Sequence, residues 1–554
     1  MAGAVSAGAY TAGVVDFLME ALEQWQSRKE VLRAWLANPQ GPAPELVPLH
    51  DVSIEIFSGA SAGGMCAAIA SVMVQQDFVH IHDGTETNTN NTFYEAWVNQ
   101  IDIRKLLETD DIEPGVPLTA LLDCKIIDQI AASALSPKTP VPRPYISPAL
   151  NLMLTLTNVR GTPYQLYEDP VNVEEFTEYY GDKLQFETTN GGAAPLNPRA
   201  KPLPAGDGSK GAWWLLQFAA KATGAVPLVL APRILPRDTA DYADPPWTTP
   251  CTAPPTPIPP AFPPPPPRQI LTLNVDGGVT DNDPFDLAHD FLAGLDPKPP
   301  NCTNPRAPND ADRAVITIAP FPAENKFNPA YSPTEEAGIW RMAGRLITVL
   351  LSQSRFLGEN LRVLAPGASF SQFAIAPSDH TRAALPALQC GSLGAFGGFF
   401  DRKFRVHDFL LGRRNCQQFL RKRFVLPTAN PVIGGGLSAA GALAGEIEKD
   451  FSVPAPTQAT AAQGYTWLPL IPCTGTAKDD VPRPARLQMT KADLDAVLGL
   501  IIKRLEAIKG PLLTGAPVII EALAGLALAW PFSKLIKGKL RDVIAQGLGS
   551  DLEG

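Results

Sequence analysis

The sequence VSIEIFSGASAGGMCAAIASVMV, residues 52–74, decides the fold class. Residues 52–57 form a β-prone run, and residues 64–74 form an apolar stretch that predicts a helix. Between them, Gly59-Ala60-Ser61-Ala62-Gly63 matches the strand–turn–helix context of a nucleophile elbow, in which the flanking glycines permit a tight turn. The pattern predicts that Ser61 projects above a sheet near the positive end of a helix. The alternative interpretation is a turn of small residues that serves only helix–strand packing.

Strand-like and helix-like segments alternate on the C-terminal side of this motif. Such alternation is typical of an α/β layered fold with a central, mostly parallel sheet that is flanked by helices. The further predicted strands are 151–157, 270–275 and 313–319, and the predicted helices between them are 213–222 and 285–294.

Beyond residue 322 the pattern becomes mainly helical, with helices predicted over 333–362 and 490–508. We therefore predict an α/β domain over residues 1–322 and a mainly helical C-terminal region over residues 323–554. A proline-rich stretch, 245–267, interrupts the first of these and predicts a stiff surface excursion or, alternatively, a docking ligand for a proline-recognising domain.

A carboxylate follows the predicted strand 270–275. Asp276 precedes Gly277 and Gly278, and catalytic groups in open α/β sheets collect outside the carboxyl ends of strands. Because Ser61 also follows a strand, the two side chains are candidates for one site. A serine hydroxyl needs a base that accepts its proton, and Asp276 is the candidate for that base.

The third candidate element is the loop from Gly3 to Gly8, which leads into a predicted helix. Consecutive backbone N–H groups at a helix N-terminus can stabilise developing negative charge, as acyl transfer requires. The alternative is a small-residue turn that packs closely on the sheet. No strand pattern precedes this loop, so the first strand of the sheet is expected to be missing.

A glycine loop, GxSxG and Asp-Gly-Gly in this order resemble the patatin-like phospholipase family. Gly13-Val14 resembles the family's first helix, residues 219–227 resemble the segment before the aspartate, and Asn282 and Pro284 resemble the residues after Asp-Gly-Gly. The resemblance covers about residues 1–320 and implies a lipid acyl hydrolase with a Ser-Asp dyad and no histidine.

The resemblance implies that Ser61 is the nucleophile and Asp276 the base, and that the backbone amides of Gly3, Ala4 and Val5 form the oxyanion hole. The elbow glycines would be Gly59 and Gly63, and Gly277 and Gly278 would complete the aspartate motif. This chain departs from the family at the loop, where Ala4 and Val5 replace glycines and Ala7 replaces a basic residue. The implied substrates are phospholipids or related lipid esters, with no metal and no organic cofactor.

Two rival functions stay open at this stage. One is an α/β-hydrolase-type esterase with a histidine-containing triad, for which His289 and His407 are the candidate bases among six histidines. The other is a catalytically inactive, patatin-like scaffold that binds a membrane or a partner. A basic and apolar stretch, 402–423, is a candidate headgroup site or, equally, a solvated helix face with buried leucines.

Composition excludes several classes of protein. A formal net charge of −10 argues against a general nucleic-acid binder, and seven scattered cysteines without a CxxC pair argue against a disulfide framework and a zinc site. We expect reduced thiols and a cytoplasmic protein without a signal peptide, because Asp16 and Glu20 interrupt the apolar N-terminus. The oligomeric state cannot be predicted.

The most apolar stretch, residues 511–532, is interrupted by Pro517 and Glu521 and is too short for a membrane span. A buried helix is the first interpretation. The alternative is an interfacial anchor that contacts a membrane peripherally, because basic residues follow it between 534 and 541.

Overall fold

A six-stranded sheet lies at the centre of the α/β part of the chain. Five of its strands follow the order 201–204, 174–189, 146–168, 269–276 and 233–238, and a sixth, 54–59, also pairs with 146–168. Two smaller sheets each have two strands, 315–318 with 372–375 and 425–427 with 467–469. The structure is a computed structural model, and the residues that it describes are 1–113, 115–137, 139–168, 174–189, 193–243, 259–295, 304–321, 369–379, 386–457, 460, 464–513 and 535–553.

The strands have the following bounds: β1 Ile54–Gly59, β2 Ile146–Glu168, β3 Glu174–Thr189, β4 Lys201–Pro204, β5 Arg233–Asp238, β6 Gln269–Asp276, β7 Val315–Ile318, β8 Gln372–Ile375, β9 Val425–Pro427 and β10 Trp467–Pro469. The four strands predicted from the sequence correspond to β1, β2, β6 and β7. The second of them, predicted over 151–157, is the core of a much longer strand.

The central sheet is mixed, so the prediction of a mostly parallel sheet was wrong. Strand β1 runs parallel to β2, whereas β3 and β6 run antiparallel to it and β5 runs antiparallel to β6. The physical reason is that β2 and β3 form a long antiparallel pair, and such a pair needs no helical crossover. A layered α/β arrangement with helices around a central sheet is otherwise what the structure has.

The longer helices have the following bounds: α1 Gly8–Ala37, α2 Ser61–Met73, α3 Lys125–Ala134, α4 Trp213–Thr223, α5 Phe285–Gly294, α6 Arg402–Lys422, α7 Pro431–Ala439, α8 Ala444–Phe451, α9 Lys491–Ile508 and α10 Leu535–Leu548. Shorter helical segments are Val5–Ala7, Thr92–Tyr94, Glu95–Gln100, Ile103–Leu106, Thr239–Tyr242, Gly277–Val279, Ser392–Ala395, Gly397–Phe400, Gly441–Leu443, Gly475–Lys478, Pro511–Leu513 and Gly549–Asp551. The helix predicted over 490–508 is confirmed as α9, and the Thr490 side chain caps its N-terminus by accepting a hydrogen bond from the Asp493 N–H.

The two long helices α1 and α6 pack directly against each other. A Cβ on Gly13 would lie 1.9 Å from the Phe409 carbonyl oxygen, and one on Gly412 would lie 2.2 Å from the Tyr10 carbonyl oxygen. This approach is open only to glycine on each helix. The largest cluster of buried apolar side chains includes residues of both helices, so the α/β part and the C-terminal region share one core.

Some predictions concern residues that the structure does not describe. The helix predicted over 333–362, most of the proline-rich stretch 245–267 and nearly all of the apolar stretch 511–532 lie outside the described residues. Among the helices of the described residues, none combines the length and the apolar character that crossing a bilayer requires.

Candidate functional site

The candidate nucleophile Ser61 occupies the sharp turn between β1 and α2. Its φ is +53°, a left-handed conformation that is uncommon for a residue with a side chain, and its N–H donates to the Thr223 hydroxyl at 3.0 Å. The residue is the first of α2 and is 6% exposed. A strained turn at the positive end of a helix therefore holds the hydroxyl group, as the sequence predicted.

The turn is closed by a backbone contact that explains the glycine at position 63. A Cβ there would lie 2.3 Å from the Met1 carbonyl oxygen and 2.5 Å from that of Ala2. Real Cβ atoms do not come this close to a backbone oxygen, so a larger residue would displace the N-terminal residues. Gly63 therefore leaves the space that lets the N-terminal residues pack beside Ser61.

The Ser61 hydroxyl donates a hydrogen bond of 2.6 Å to Asp276 Oδ2. The other carboxylate oxygen, Oδ1, accepts from the Gly278 N–H at 2.7 Å, and the Asp276 N–H donates to the Ala225 carbonyl oxygen at 2.9 Å. Asp276 is 5% exposed. Its carboxylate is therefore held by two donors, one of which is the candidate nucleophile.

Burial raises the pKa of Asp276 from its usual value to about 6, and the hydrogen bonds from Ser61 and Gly278 oppose this shift. A carboxyl group with such a pKa is ionised at neutral pH and is a much stronger base than an exposed aspartate. This is the range in which a general base is effective.

The N-terminal loop lies against this pair. Val5 has a φ of +46°, which is strained for a β-branched residue, and it begins the short helix Val5–Ala7. The Gly3 N–H donates to the Asn282 carbonyl oxygen at 3.3 Å. The Gly3 amide is thus engaged within the protein, whereas no acceptor among the described residues is paired with the N–H groups of Ala4 and Val5.

A narrow cavity of about 80 Å³ opens beside Ser61. Ser61 and Lys221 are its polar residues, and all the other residues of its wall are apolar. Helix α3 and the helical segment Glu95–Gln100 contribute to this wall, together with Val5 of the loop. The lining includes Met65, Ile69, Trp97, Ile127, Ala131 and Phe399. An apolar wall next to a polar dyad suits a substrate with a hydrocarbon chain.

Sequence comparison relates this chain to a protein of Sinorhizobium fredii. No protein-family model matches the chain. The protein named "Uncharacterized protein y4iI" of Sinorhizobium fredii is 30% identical, in an alignment that covers 92% of this chain and 74% of that protein. The chain belongs to the y4iI family. That name carries no statement of activity.

In this member of the y4iI family the hydrogen bonds of Ser61 go to Thr223 and Asp276, and none is described to a histidine. The ring of His289 bonds to Asp290 at 3.0 Å, and the ring of His407 bonds to Asp408 at 2.7 Å. His50 bonds to the Leu470 carbonyl oxygen, and burial lowers its pKa to about 4. The hydroxyl of Ser61 therefore has a carboxylate, not a described imidazole, as its partner. His380 lies outside the described residues.

Two basic residues of α6 lie in the interior of this y4iI-family protein. Arg405 is buried and donates to the carbonyl oxygens of Val98 and Gly398. Arg413 is buried and pairs with Asp16 and with Glu20 of α1. Because both guanidinium groups are buried against acceptors of the protein itself, this part of the 402–423 stretch is not open to a lipid headgroup.

Sequence reasoning missed two parts of the site. Thr223, at the end of α4, holds the Ser61 N–H, and a single threonine carries no signal for this role. The wall of the cavity was also missed, although the spacing of Ile127, Ile130, Ala131 and Ala134 follows one helical face and could have indicated a helix with an apolar stripe.

Proposed function

We propose that this protein is a patatin-like serine hydrolase that cleaves carboxylic esters of phospholipids or related lipids through an acyl-enzyme on Ser61. The observation that carries the proposal is the 2.6 Å hydrogen bond from the Ser61 hydroxyl to Asp276, made at the wall of an apolar cavity. The order of the loop, the elbow and Asp-Gly-Gly supports the patatin-like assignment, as does the α/β layering. The relationship to the y4iI protein neither supports nor contradicts this activity.

In the proposed reaction Asp276 accepts the proton of the Ser61 hydroxyl as the oxygen attacks the ester carbonyl carbon. The N–H groups of Ala4 and Val5 are the donors that would stabilise the oxyanion of the tetrahedral intermediate, an effect commonly worth about 3–4 kcal/mol per donor. Collapse of this intermediate breaks the ester C–O bond, and protonated Asp276 returns its proton to the leaving alkoxide.

Deacylation repeats the sequence with water. Asp276 takes a proton from the water molecule, the hydroxide attacks the acyl carbon, and Ser61 leaves with the proton restored to its oxygen. The acyl chain would lie in the apolar cavity, where Trp97 and Phe399 exclude water from it. No step requires a metal or an organic cofactor. Because its substrates are lipid aggregates, the enzyme would act at a membrane surface.

The proposal is tested by hydrolysis of p-nitrophenyl esters with acyl chains of increasing length. We expect turnover by the parent chain, with a preference for chains longer than acetyl, and a loss of turnover in Ser61→Ala. Tight lipid binding without turnover in the parent chain would instead favour a binding scaffold. Turnover that persists in Ser61→Ala would show that Ser61 is not the nucleophile.

A further inference from the structure

Hydrogen bonds with the C-terminal region hold Ser6, the residue that follows the candidate oxyanion donors Ala4 and Val5. Ser6 is fully buried. Its hydroxyl donates to the Ala395 carbonyl oxygen at 2.6 Å and accepts from the Gly398 N–H at 3.1 Å. We call these two hydrogen bonds the Ser6 contact. They join the N-terminal loop to residues that lie 389 and 392 positions away in the chain.

The residues on the far side of the Ser6 contact have unusual backbone requirements. A Cβ on Gly398 would lie 2.7 Å from Ser6 Oγ and 2.3 Å from Cys390 Sγ, so a larger residue would displace the Ser6 hydroxyl. Ala395 has a φ of +77°, a left-handed conformation that is uncommon for a residue with a side chain. Strain of this kind persists only where the surrounding structure holds it, and it is concentrated at functional sites. The strained residue here is the one whose carbonyl oxygen accepts from Ser6.

Helix α6 anchors the segment that carries these residues. The Asp408 carboxylate accepts from the N–H groups of Gln389 and Cys390 at 2.9 and 2.8 Å. The Arg405 guanidinium donates to the Gly398 carbonyl oxygen at 2.6 Å. Both charged side chains are buried, and hydrogen bonds to charged groups are stronger than those between neutral groups. Because α6 packs directly on α1, the Ser6 contact and the N-terminal loop are part of the same core.

Val5 is the residue that the Ser6 contact constrains most directly. Its φ of +46° is unfavourable for a β-branched side chain. On the N-terminal side of Val5, the Gly3 N–H donates to the Asn282 carbonyl oxygen at 3.3 Å. On the C-terminal side, the hydroxyl of Ser6 is fixed by its two partners. The loop is therefore held on both sides of Val5, which lines the cavity beside Ser61.

We propose that Ser6 is a positioning residue for ester hydrolysis, which directs the Val5 N–H toward the oxyanion by holding Val5 in its left-handed conformation. This inference rests on the proposed function. An oxyanion donor is effective when it is preorganised, because it must already point to the place where negative charge develops. Without the Ser6 contact, Val5 would relax toward a negative φ and its N–H would turn away from Ser61. The C-terminal region is thus part of the active site, although the reacting groups lie in the α/β part.

The test measures hydrolysis of p-nitrophenyl butyrate by the parent chain, by Ser6→Ala and by the matched control Ser71→Ala. Ser71 is equally buried, and its hydroxyl donates to the Ala68 carbonyl oxygen within α2. Rates are divided by the number of sites that a fluorophosphonate probe labels at completion, so that a loss of folded protein does not lower kcat. We expect Ser6→Ala to reduce kcat by about tenfold or more with KM within about twofold of the parent value, because the oxyanion donor acts in the transition state. Ser71→Ala should keep the parent kcat.

A second variant, Gly398→Ala, disturbs the same contact from the other side and keeps the Ser6 hydroxyl. It should also lower kcat by about tenfold or more, by loss of the same oxyanion donor. The double variant should fall little further, because both changes act at one contact. This variant decides the question if Ser6→Ala does not fold.

The outcomes separate this inference from the proposed function. An active parent chain with an unchanged kcat in Ser6→Ala overturns the inference alone. Losses that multiply in the double variant, or a raised KM with an unchanged kcat, also overturn it, because they describe independent damage or weaker substrate binding. A parent chain without turnover overturns the proposed function and this inference with it.

Discussion

Asp276 pairs with Leu156 of β2, and Gly59, two residues before Ser61, pairs with Leu154 of the same strand. Strand β1 runs parallel to β2 and β6 runs antiparallel to it, so the carboxyl ends of β1 and β6 approach each other head to head beside β2. This convergence places the Ser61 hydroxyl 2.6 Å from the Asp276 carboxylate, although 215 positions separate them in the chain. The mixed sheet is thus the direct cause of the dyad geometry.

Replacing the candidate base tests its chemical role. Asp276→Asn keeps the size of the side chain and removes the proton acceptor, so kcat/KM for a p-nitrophenyl ester should fall by about 10²–10⁴-fold. The exposed carboxylate of Asp480, varied as Asp480→Asn, is the control and should leave turnover unchanged. An Asp276→Asn variant that is folded and fully active would exclude Asp276 as the base.

The raised pKa of Asp276 predicts how activity depends on pH. The base must be ionised to accept a proton, so the rate should rise with pH through about 6 and level off above about 7. A pH–rate profile of the parent chain, measured with an ester stable in this range, checks the position of the rise. A rise centred near pH 4 would indicate an unperturbed carboxylate.

The same pKa has a consequence for stability. Because the folded pKa lies above the unfolded value of 3.8, the folded chain holds this proton more tightly, and stability decreases as pH rises from about 4 to about 6. Asp276→Asn, which cannot ionise, should therefore raise the free energy of unfolding relative to the parent above pH 6, by on the order of 1–3 kcal/mol. The difference should shrink toward pH 4. Urea unfolding at the two pH values measures it.

The glycine loop predicts a steric effect on activity. In Gly3→Ala the new Cβ would lie 2.2 Å from Asn282 Oδ1 and 3.0 Å from Ser61 Cβ, so the loop must move away from the nucleophile and ester turnover should fall by at least tenfold. Gly435→Ala, on α7, is the matched control, because its Cβ meets nothing within 4 Å. That substitution should leave turnover unchanged and stabilise the helix by up to about 1 kcal/mol. Equal activity of the two variants would contradict the account of the loop.

The apolar cavity predicts a change in chain-length preference. Ala131→Phe places a ring in the cavity, whereas Ala132→Phe adds the same ring on the exposed side of α3. We expect the first variant to reduce kcat/KM for decanoyl esters by tenfold or more relative to acetyl esters, and the second to leave the ratio as in the parent. A parallel loss for both esters in Ala131→Phe would mean that the cavity does not hold the acyl chain.

The packing of α1 against α6 predicts a large stability effect. Arg413→Met leaves the buried carboxylates of Asp16 and Glu20 without their cation, a change that typically costs about 3–5 kcal/mol. Arg421→Met removes a cation whose partner, Asp480, is largely exposed, and should cost less than about 1 kcal/mol. Urea unfolding of both variants provides the comparison. A similar loss of unfolding free energy in the two variants would show that the buried ion pair does not stabilise the packing of α1 against α6.

The local features of the site could be predicted from the sequence because they arise from neighbouring residues. The β-prone run before Gly59, the turn at Ser61 and the helix after it follow from propensity and glycine conformations within a short window. Asp276 could be placed at a strand end for the same reason.

The relations between distant segments could not be predicted in this way. The direction of β6 relative to β2 depends on pairing across more than a hundred residues, so local pattern favoured a parallel sheet that the structure does not have. Arg413 of α6 could be taken for a surface residue because its acceptor, Glu20, lies 393 residues away in the chain.

The most direct test of the central claim is labelling of the purified chain with a fluorophosphonate probe, followed by peptide mapping. We expect a single labelled peptide that contains Ser61, no label in Ser61→Ala, and strongly reduced labelling in Asp276→Asn. A folded parent chain that takes no label at Ser61, or one whose label persists in Ser61→Ala, would contradict it.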